Sequence, residues 1–328
     1  MIIVRAPLRI SLGGGGTDLP SFYKLHGSSF VSASIDKYVY ISISRPFDEI
    51  YKLKYSEFES VASIDEIRHP IFREVLSRYG RDLGSLEIST FSDVPAGTGL
   101  GSSGSFTAGL IFALLTFRGA VEGIDKLEIA LQAIDIEMNY LSNGSGMQDQ
   151  LISALGGVRG FSISSAGEIK HEQIIPDANR ARNLETNLQL FFTGISRRAA
   201  DLLHAQAAKT SLGDGSTINS LLATKMIGER SHRALREGRL SAMGKLLNEQ
   251  WDQKMQRQVD SLPPAIGRMR SLALNEGGAL GAKLVGAGGG GFLLTYSERV
   301  DQTSSVMRDH GFRELTFKFD ANGLERLV

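Results

Sequence analysis

The sequence predicts an α+β fold, on three observations. Segments that alternate apolar and polar residues stand beside segments with apolar residues at three- and four-residue steps, so strands and helices are both present. They follow no regular strand–helix repeat, which argues against a doubly wound parallel sheet. A length of 328 residues exceeds one average domain and suits two domains sharing a cleft.

In chain order, IIVRAPLRISL at 2–12 and YVYISISR at 38–45 alternate and are expected as strands, as is LEISTFSDVP at 86–95 running into a Pro/Gly loop. From Ser102 the pattern changes to SSGSFTAGLIFALLTF, expected as a buried helix. Residues 125–141 make a second helix with Asp125 at its start, and QDQLISALGGVRGFSI gives a short helix, a Gly–Gly break and a strand. The polar stretch 176–187 is the expected linker, dividing the chain into 1–183 and 184–328. Beyond it come the strand LQLFFTG, amphipathic helices at 216–237 and 239–258, and a helix in PPAIGRMRSLALNEG. AKLVGAGGGGFLLTY reads as strand, glycine turn, strand, and FRELTFKFD as a last strand.

Lys+Arg 36 balances Asp+Glu 36, without a basic stripe, so a nucleic-acid partner is not expected. With no Cys, thiol nucleophiles, disulfides and Cys-ligated zinc are excluded. The six His are scattered, without metal-site spacing. Neither a signal peptide nor an apolar run long enough to cross a bilayer is visible, so no membrane is expected and the expected place is the cytoplasm. A homodimer is compatible with the sequence.

Glycine is enriched, 37 residues or about 11% against a usual ~7%, and clusters at 13–16, 97–104 and 286–291. In D-V-P-A-G-T-G-L-G-S-S-G-S at 93–105, a glycine loop leads into a helix start. Unpaired backbone N–H groups and the positive end of the helix dipole make such a loop a phosphate cradle. Ser102 and Ser103 add hydroxyls for phosphate oxygen or Mg²⁺. The bland alternative is a strand end and a helix cap, but four glycines in eight residues favour phosphate. Gly99, Gly101 and Gly104 fit G-x-G-x-x-G, as do Gly286, Gly288 and Gly291. The strand and acid that a dinucleotide site needs next are missing, because a second helix follows the first. A Walker A G-K-[ST] and the protein-kinase H-R-D and D-F-G motifs are absent too.

P-A-G-T-G-L-G-S-S-G resembles the central phosphate loop of the GHMP kinases. A-P-L-R-I-S-L-G-G-G-G-T-D-L-P at 6–20 and K-L-V-G-A-G-G-G-G-F-L-L at 283–294 resemble that family's N-terminal and C-terminal motifs, in the family's order. The R-I-S-x-G-G-G-G-T-D-L-P form, T-G-I-S-R at 193–197 and L-L-N-E-Q-W at 246–251 resemble its heptose-kinase branch, which phosphorylates the anomeric carbon of a heptose 7-phosphate. The resemblance implies a two-lobed fold, with a left-handed βαβ crossover in the N-terminal lobe and a ferredoxin-like C-terminal lobe. It implies ATP and Mg²⁺ as cofactors and a sugar or sugar phosphate as substrate. ATP would lie on Pro95, Gly97, Gly99, Leu100, Gly101, Ser102, Ser103 and Gly104. Mg²⁺ would lie on Ser103 and Glu137. Asp149 would be the base and Arg9 its cationic neighbour. The sugar would meet Gly15, Gly16, Thr17, Asp18, Gly194, Gly288 and Gly289.

Taken alone, Glu137 reads as a solvated helix residue and Asp149 as a helix cap, and Arg9 has a strand-edge cation as its bland alternative. Arg197 and Arg198 form an adjacent basic pair suited to a distal phosphate, with Lys283 as a rival anchor. Trp251 is expected in the core or an interface. Other sugar 1-kinases, or a non-catalytic sugar- and ATP-binding regulator, are the alternatives. A regulator would have no use for Arg9, Glu137 and Asp149 together.

Overall fold

The computed structural model describes residues 1–328 except 121, 122, 124, 142, 143, 176, 197, 198 and 258–262. The chain opens with β1 (Ile2–Gly13), α1 (Pro20–His26), β2 (Ser28–Ser44), β3 (Tyr51–Lys54), β4 (Phe58–Val61), α2 (Pro70–Tyr79) and β5 (Glu87–Ser92). Next come α3 (Ser102–Phe117), α4 (Lys126–Ile134), α5 (Gln148–Leu155), β6 (Val158–Ile163), β7 (Ile169–Gln173) and α6 (Ala178–Asn187). Then β8 (Leu188–Phe192) leads into α7 (Ala199–Ser211), α8 (Gly215–Arg236), α9 (Ala242–Arg257) and α10 (Pro264–Asn275). The chain finishes with β9 (Gly281–Leu284), β10 (Phe292–Tyr296), α11 (Val300–Asp309), β11 (Glu314–Leu315) and β12 (Glu325–Arg326).

The first sheet runs β12-β1-β2-β5-β3-β4, with β6 and β7 continuing from the other half of β2. Residues 39–44 of β2 pair with β5 while residues 28–33 pair with β6, so one 17-residue strand serves two partners on the same side. β1 is buried along nearly its whole length because α3 packs on it from one direction and α8 and α9 from another. α3 is apolar on every face and lies among β1, β2, α2, α4 and α5, as a helix of that composition must.

The second sheet runs β11-β8-β10-β9, with every pair antiparallel. Taken in chain order this is the 4-1-3-2 arrangement of a ferredoxin-like sheet, with four helices inserted after its first strand. Alternate residues of β8 and β10 face opposite ways, as the two-residue period requires. Leu190, Phe292 and Leu294 join the large core shared with the first lobe. Phe191 and Leu293 join a smaller core with Trp251, Ile266, Met269 and Met307. Trp251 is thus a core residue, with the Arg270 guanidinium 5.0 Å from its ring centroid.

Three expectations differ from the structure. The expected linker is mostly α6, whose N-terminus is capped by the Asp177 carboxylate accepting from the Arg180 N–H. The expected division at 183/184 therefore falls within a helix. The expected last strand is only β11, because Phe319 leaves the second sheet and bridges to Ile35 of the first. The helix expected through residue 141 is α4 followed by a π-turn over Asp135–Tyr140.

Candidate active site

One cleft of ≈ 660 Å³ lies where the glycine motifs converge. The loop after β5 reaches the start of α3 there, with Gly97, Gly99, Gly101, Ser102 and Ser103 on the wall. Gly99 packs directly on the C-terminal glycine turn: a Cβ on Gly286 would lie 2.6 Å from Gly99 Cα. Only two residues without side chains allow the two lobes' backbones to come this close.

Arg9, on β1, is buried and holds the centre of the cleft. Its Nε and Nη2 both donate to Asp149 Oδ1 at 2.7 Å, leaving Oδ2 outside that grip. Its Nη1 donates to the Gly99 carbonyl, and its backbone N–H donates to the Leu100 carbonyl at 2.9 Å. One side chain thus ties the acid on α5 to the phosphate-type loop.

Glu137 sits in the π-turn, buried, and accepts from the Ser103 hydroxyl at 2.9 Å. Among the described residues its Oε1 has no hydrogen-bond partner. Burial raises its carboxyl above the ordinary range, against the side chains of Thr107, Ser103 and Gln150, which lower it. A buried carboxylate oxygen without a partner, beside a hydroxyl and a helix start, is a hard-oxygen site that fits Mg²⁺ held jointly with phosphate oxygens. Among the described residues no cluster of three His, Cys, Asp or Glu forms a separate metal site.

Asp18 reaches the cleft from the loop after β1 and is also raised by burial. Its Oδ2 accepts from the Gln148 N–H at 2.9 Å and its Oδ1 from the Gly16 N–H at 3.2 Å. Gln148 Nε2 donates to Ser11 Oγ at 3.2 Å, and Gln206 of α7 donates to the Gly16 carbonyl at 3.0 Å. This side is polar and hydrogen-bonding. The cleft lining also includes apolar and aromatic side chains, Val39, Tyr55, Ile71, Phe91 and Phe106.

The second lobe contributes cations. Lys254 of α9 and Lys283 of β9 are buried on the cleft wall beside Arg257. The Lys254 ammonium donates to the Leu284 and Gly286 carbonyls at 3.0 and 2.6 Å. Burial, with Arg257 and Arg9 nearby, lowers Lys254 to about 7. Burial lowers Lys283 as well, helped by Lys254 and Arg9.

Known kinases resemble this chain along its length. The model for the GHMP kinases N terminal domain matches residues 67–157 and that for GHMP kinases C terminal matches 231–312, together more than half of the chain. The chain belongs to the GHMP kinase family. A D-glycero-alpha-D-manno-heptose 7-phosphate kinase of Campylobacter jejuni is 26% identical, over 99% of this chain and 98% of that protein. An L-fucokinase/L-fucose-1-P guanylyltransferase of Bacteroides fragilis is 27% identical over 88% of this chain, which spans 34% of its length. The crystal structure of a D-glycero-D-manno-heptose 1-phosphate kinase from Bacteroides thetaiotaomicron superposes with a TM-score of 0.81 at 20% identity, over 100% of this chain and 99% of that one.

In this GHMP kinase the structure brings together Arg9, Gly15, Gly16, Asp18, Gly97, Gly99, Gly101, Ser102, Ser103, Glu137 and Asp149. Other sequence-derived candidates stand elsewhere. Thr17 is fully buried, its hydroxyl donating to the Gly14 carbonyl at 2.8 Å and lying 2.7 Å from Ser28 Oγ, so it shapes the loop from behind. Leu100 is a core residue, and Gly104 backs onto α5. Pro95, Gly194, Gly288 and Gly289 are not on the cleft wall, where Gly286 and Ala287 stand for the last motif. Arg197 and Arg198 lie outside the described residues. Sequence reasoning missed Gln148, Gln206, Gln250, Lys254 and Arg257. Gln250, Lys254 and Arg257 follow at i, i+4 and i+7, one helical face, and that spacing was the available signal.

Proposed function

We propose that this chain, a GHMP kinase similar along its length to sugar kinases, transfers the γ-phosphoryl group of ATP to an anomeric hydroxyl. The acceptor is D-glycero-D-manno-heptose 7-phosphate and the product the 1,7-bisphosphate, on a route to nucleotide-activated heptose for bacterial surface polysaccharide. The observation that carries the chemistry is the Arg9–Asp149 pair fastened to the Gly99 carbonyl at the start of the phosphate loop. The acceptor assignment is supported by the Campylobacter jejuni relative, which aligns over both chains almost entirely.

The triphosphate lies along the loop from Gly97 to Ser103, where the α3 N-terminus offers N–H groups and dipole. The nucleobase lies against the aromatic side chains Tyr55, Phe91 and Phe106 of the lining. Ser103 and Glu137 would hold Mg²⁺, which when bound would neutralise charge on the phosphates. Asp18, Gln148 and Gln206 hold the sugar hydroxyls. The acceptor hydroxyl lies at Asp149 Oδ2 and gives that oxygen its proton as its own oxygen bonds to the γ-phosphorus. The bond from phosphorus to the β–γ bridging oxygen breaks, and ADP leaves. Arg9 keeps Asp149 aimed and offsets charge on the transferring group, because such transfer depends mainly on position and electrostatics.

An unphosphorylated sugar of the fucose type is the alternative acceptor, favoured by the 27% identity to the Bacteroides fragilis protein. ADP release with a sugar panel, with and without a 7-phosphate, separates the two. Phosphorus NMR of the product identifies the carbon that received phosphate. No turnover of any sugar would leave only a binding protein.

A further inference from the structure

We infer that Lys254, Arg257 and Lys283 form the receiving wall for a phosphate that the acceptor already carries. This rests on the phosphorylated sugar proposed above and names the residues that would select it.

Two of the three cations are buried, Lys254 at 8% and Lys283 at 3% exposure. A buried charge is costly unless paired with an opposite one. Among the described residues, none of the three makes an ion pair with a carboxylate. Among the described residues their partners are neutral: backbone carbonyls for Lys254, and the Ser220 and Thr224 hydroxyls, each at 2.9 Å, for Arg257. Such partners aim a cation without neutralising it.

Two further atoms on this wall point to a ligand. Gln250 is buried at 3% exposure, and among the described residues neither its Oε1 nor Arg257 Nε has a partner. Both residues line the same cleft as Arg9 and Asp149. The donor's triphosphate has its own provision in the first lobe: the glycine loop, the α3 N-terminus and the Ser103–Glu137 pair. The second-lobe cations are surplus to it. A phosphate held there would fix the sugar from the end remote from the acceptor hydroxyl, where binding energy aligns the reacting group. Lysine and arginine together suit a phosphate, one as a point charge and the other as a planar fork.

The test compares kcat/KM for the heptose 7-phosphate with that for the unphosphorylated heptose, in wild type, Lys283→Met and Arg257→Gln. The wild type should favour the phosphorylated sugar. Each variant should lower that ratio at least about tenfold, the loss of one charged hydrogen bond. KM for ATP should move less. An unchanged ratio in folded variants overturns the wall while leaving the acceptor intact. A rise in KM for ATP as large as that for the sugar phosphate overturns it in favour of the donor. Wild type without preference overturns the phosphorylated acceptor itself. If neither variant folds, inorganic phosphate decides in the wild type at saturating ATP. It should raise KM for the phosphorylated sugar more than for the plain sugar, and equal effects overturn the wall.

Discussion

Asp149 and Glu137 are both acids near phosphate, yet their surroundings separate their tasks. Asp149 is partly open and gripped on one oxygen by Arg9, so its other oxygen can meet a hydroxyl. Replacing it in Asp149→Asn should lower kcat by about 10²–10⁴-fold with ATP and sugar affinities near wild type. A kcat that barely moves in steady-state assays would mean that alignment alone suffices. Glu137 is buried with one oxygen unpartnered, which suits a cation better than a proton in transit. Glu137→Gln should therefore shift the Mg²⁺ titration upward more than the sugar KM, and an unshifted titration would remove it from the metal site. Lys254 gives a pH signature. Its folded value of about 7 lies below the ordinary 10.5, so between those limits the unfolded chain binds more protons than the folded one. Stability of the unliganded protein should then rise with pH from about 7 upward. Urea unfolding at several pH values should show the rise, and Lys254→Met should flatten it.

Glycines in these elements set distances between backbones. Gly104, in the first turn of α3, faces α5 so closely that a Cβ would lie 2.6 Å from Asp149 Cβ and 3.0 Å from the Gln150 nitrogen. Gly104→Ala must push α5 and its acid away. The expected result is about 10²-fold in kcat/KM, the scale of a 1 Å misplacement, with a stability loss of about 1–3 kcal/mol from overpacking. Kinetics and thermal melts read the two separately, and normal turnover would show that α5 has room to yield. The strands, most helices and the glycine loops were legible because each is a local pattern: alternation, apolar spacing, or residues that unusual backbone demands. Of the second-lobe cations only Lys283 was singled out, since Lys254 and Arg257 on an amphipathic helix have the spacing of an ordinary solvated face. Only α9 packing against β9 turns them inward. Thr17 failed for the opposite reason, because a motif records which residues occur together and not which of them face the ligand. The π-turn leaves no mark on composition, although it positions Glu137.

The two lobes share one apolar core, which includes Leu190, Leu235, Val285 and Leu294 together with the first-lobe strands. Calorimetric unfolding should therefore give a single transition, and two resolved transitions would show that the lobes are independent. The segment after β11 returns to the first lobe: Asp320 receives the Tyr38 hydroxyl at 2.9 Å, its carbonyl receives the Gly157 N–H at 2.7 Å, and β12 pairs with β1. Phe319 also donates its N–H to Glu185 at 2.6 Å, so the outgoing and returning stretches touch. The second lobe is thus an inset in the first. During synthesis, β7 ends at residue 173 and the returning segment begins near 318. At about 5–20 residues per second, the ribosome leaves the first sheet unfinished for roughly 7–30 s after its other strands have emerged. For that interval Val4 and Arg5 of β1 lack the strand that later pairs with them, and that open stretch of edge can accept a strand from another molecule.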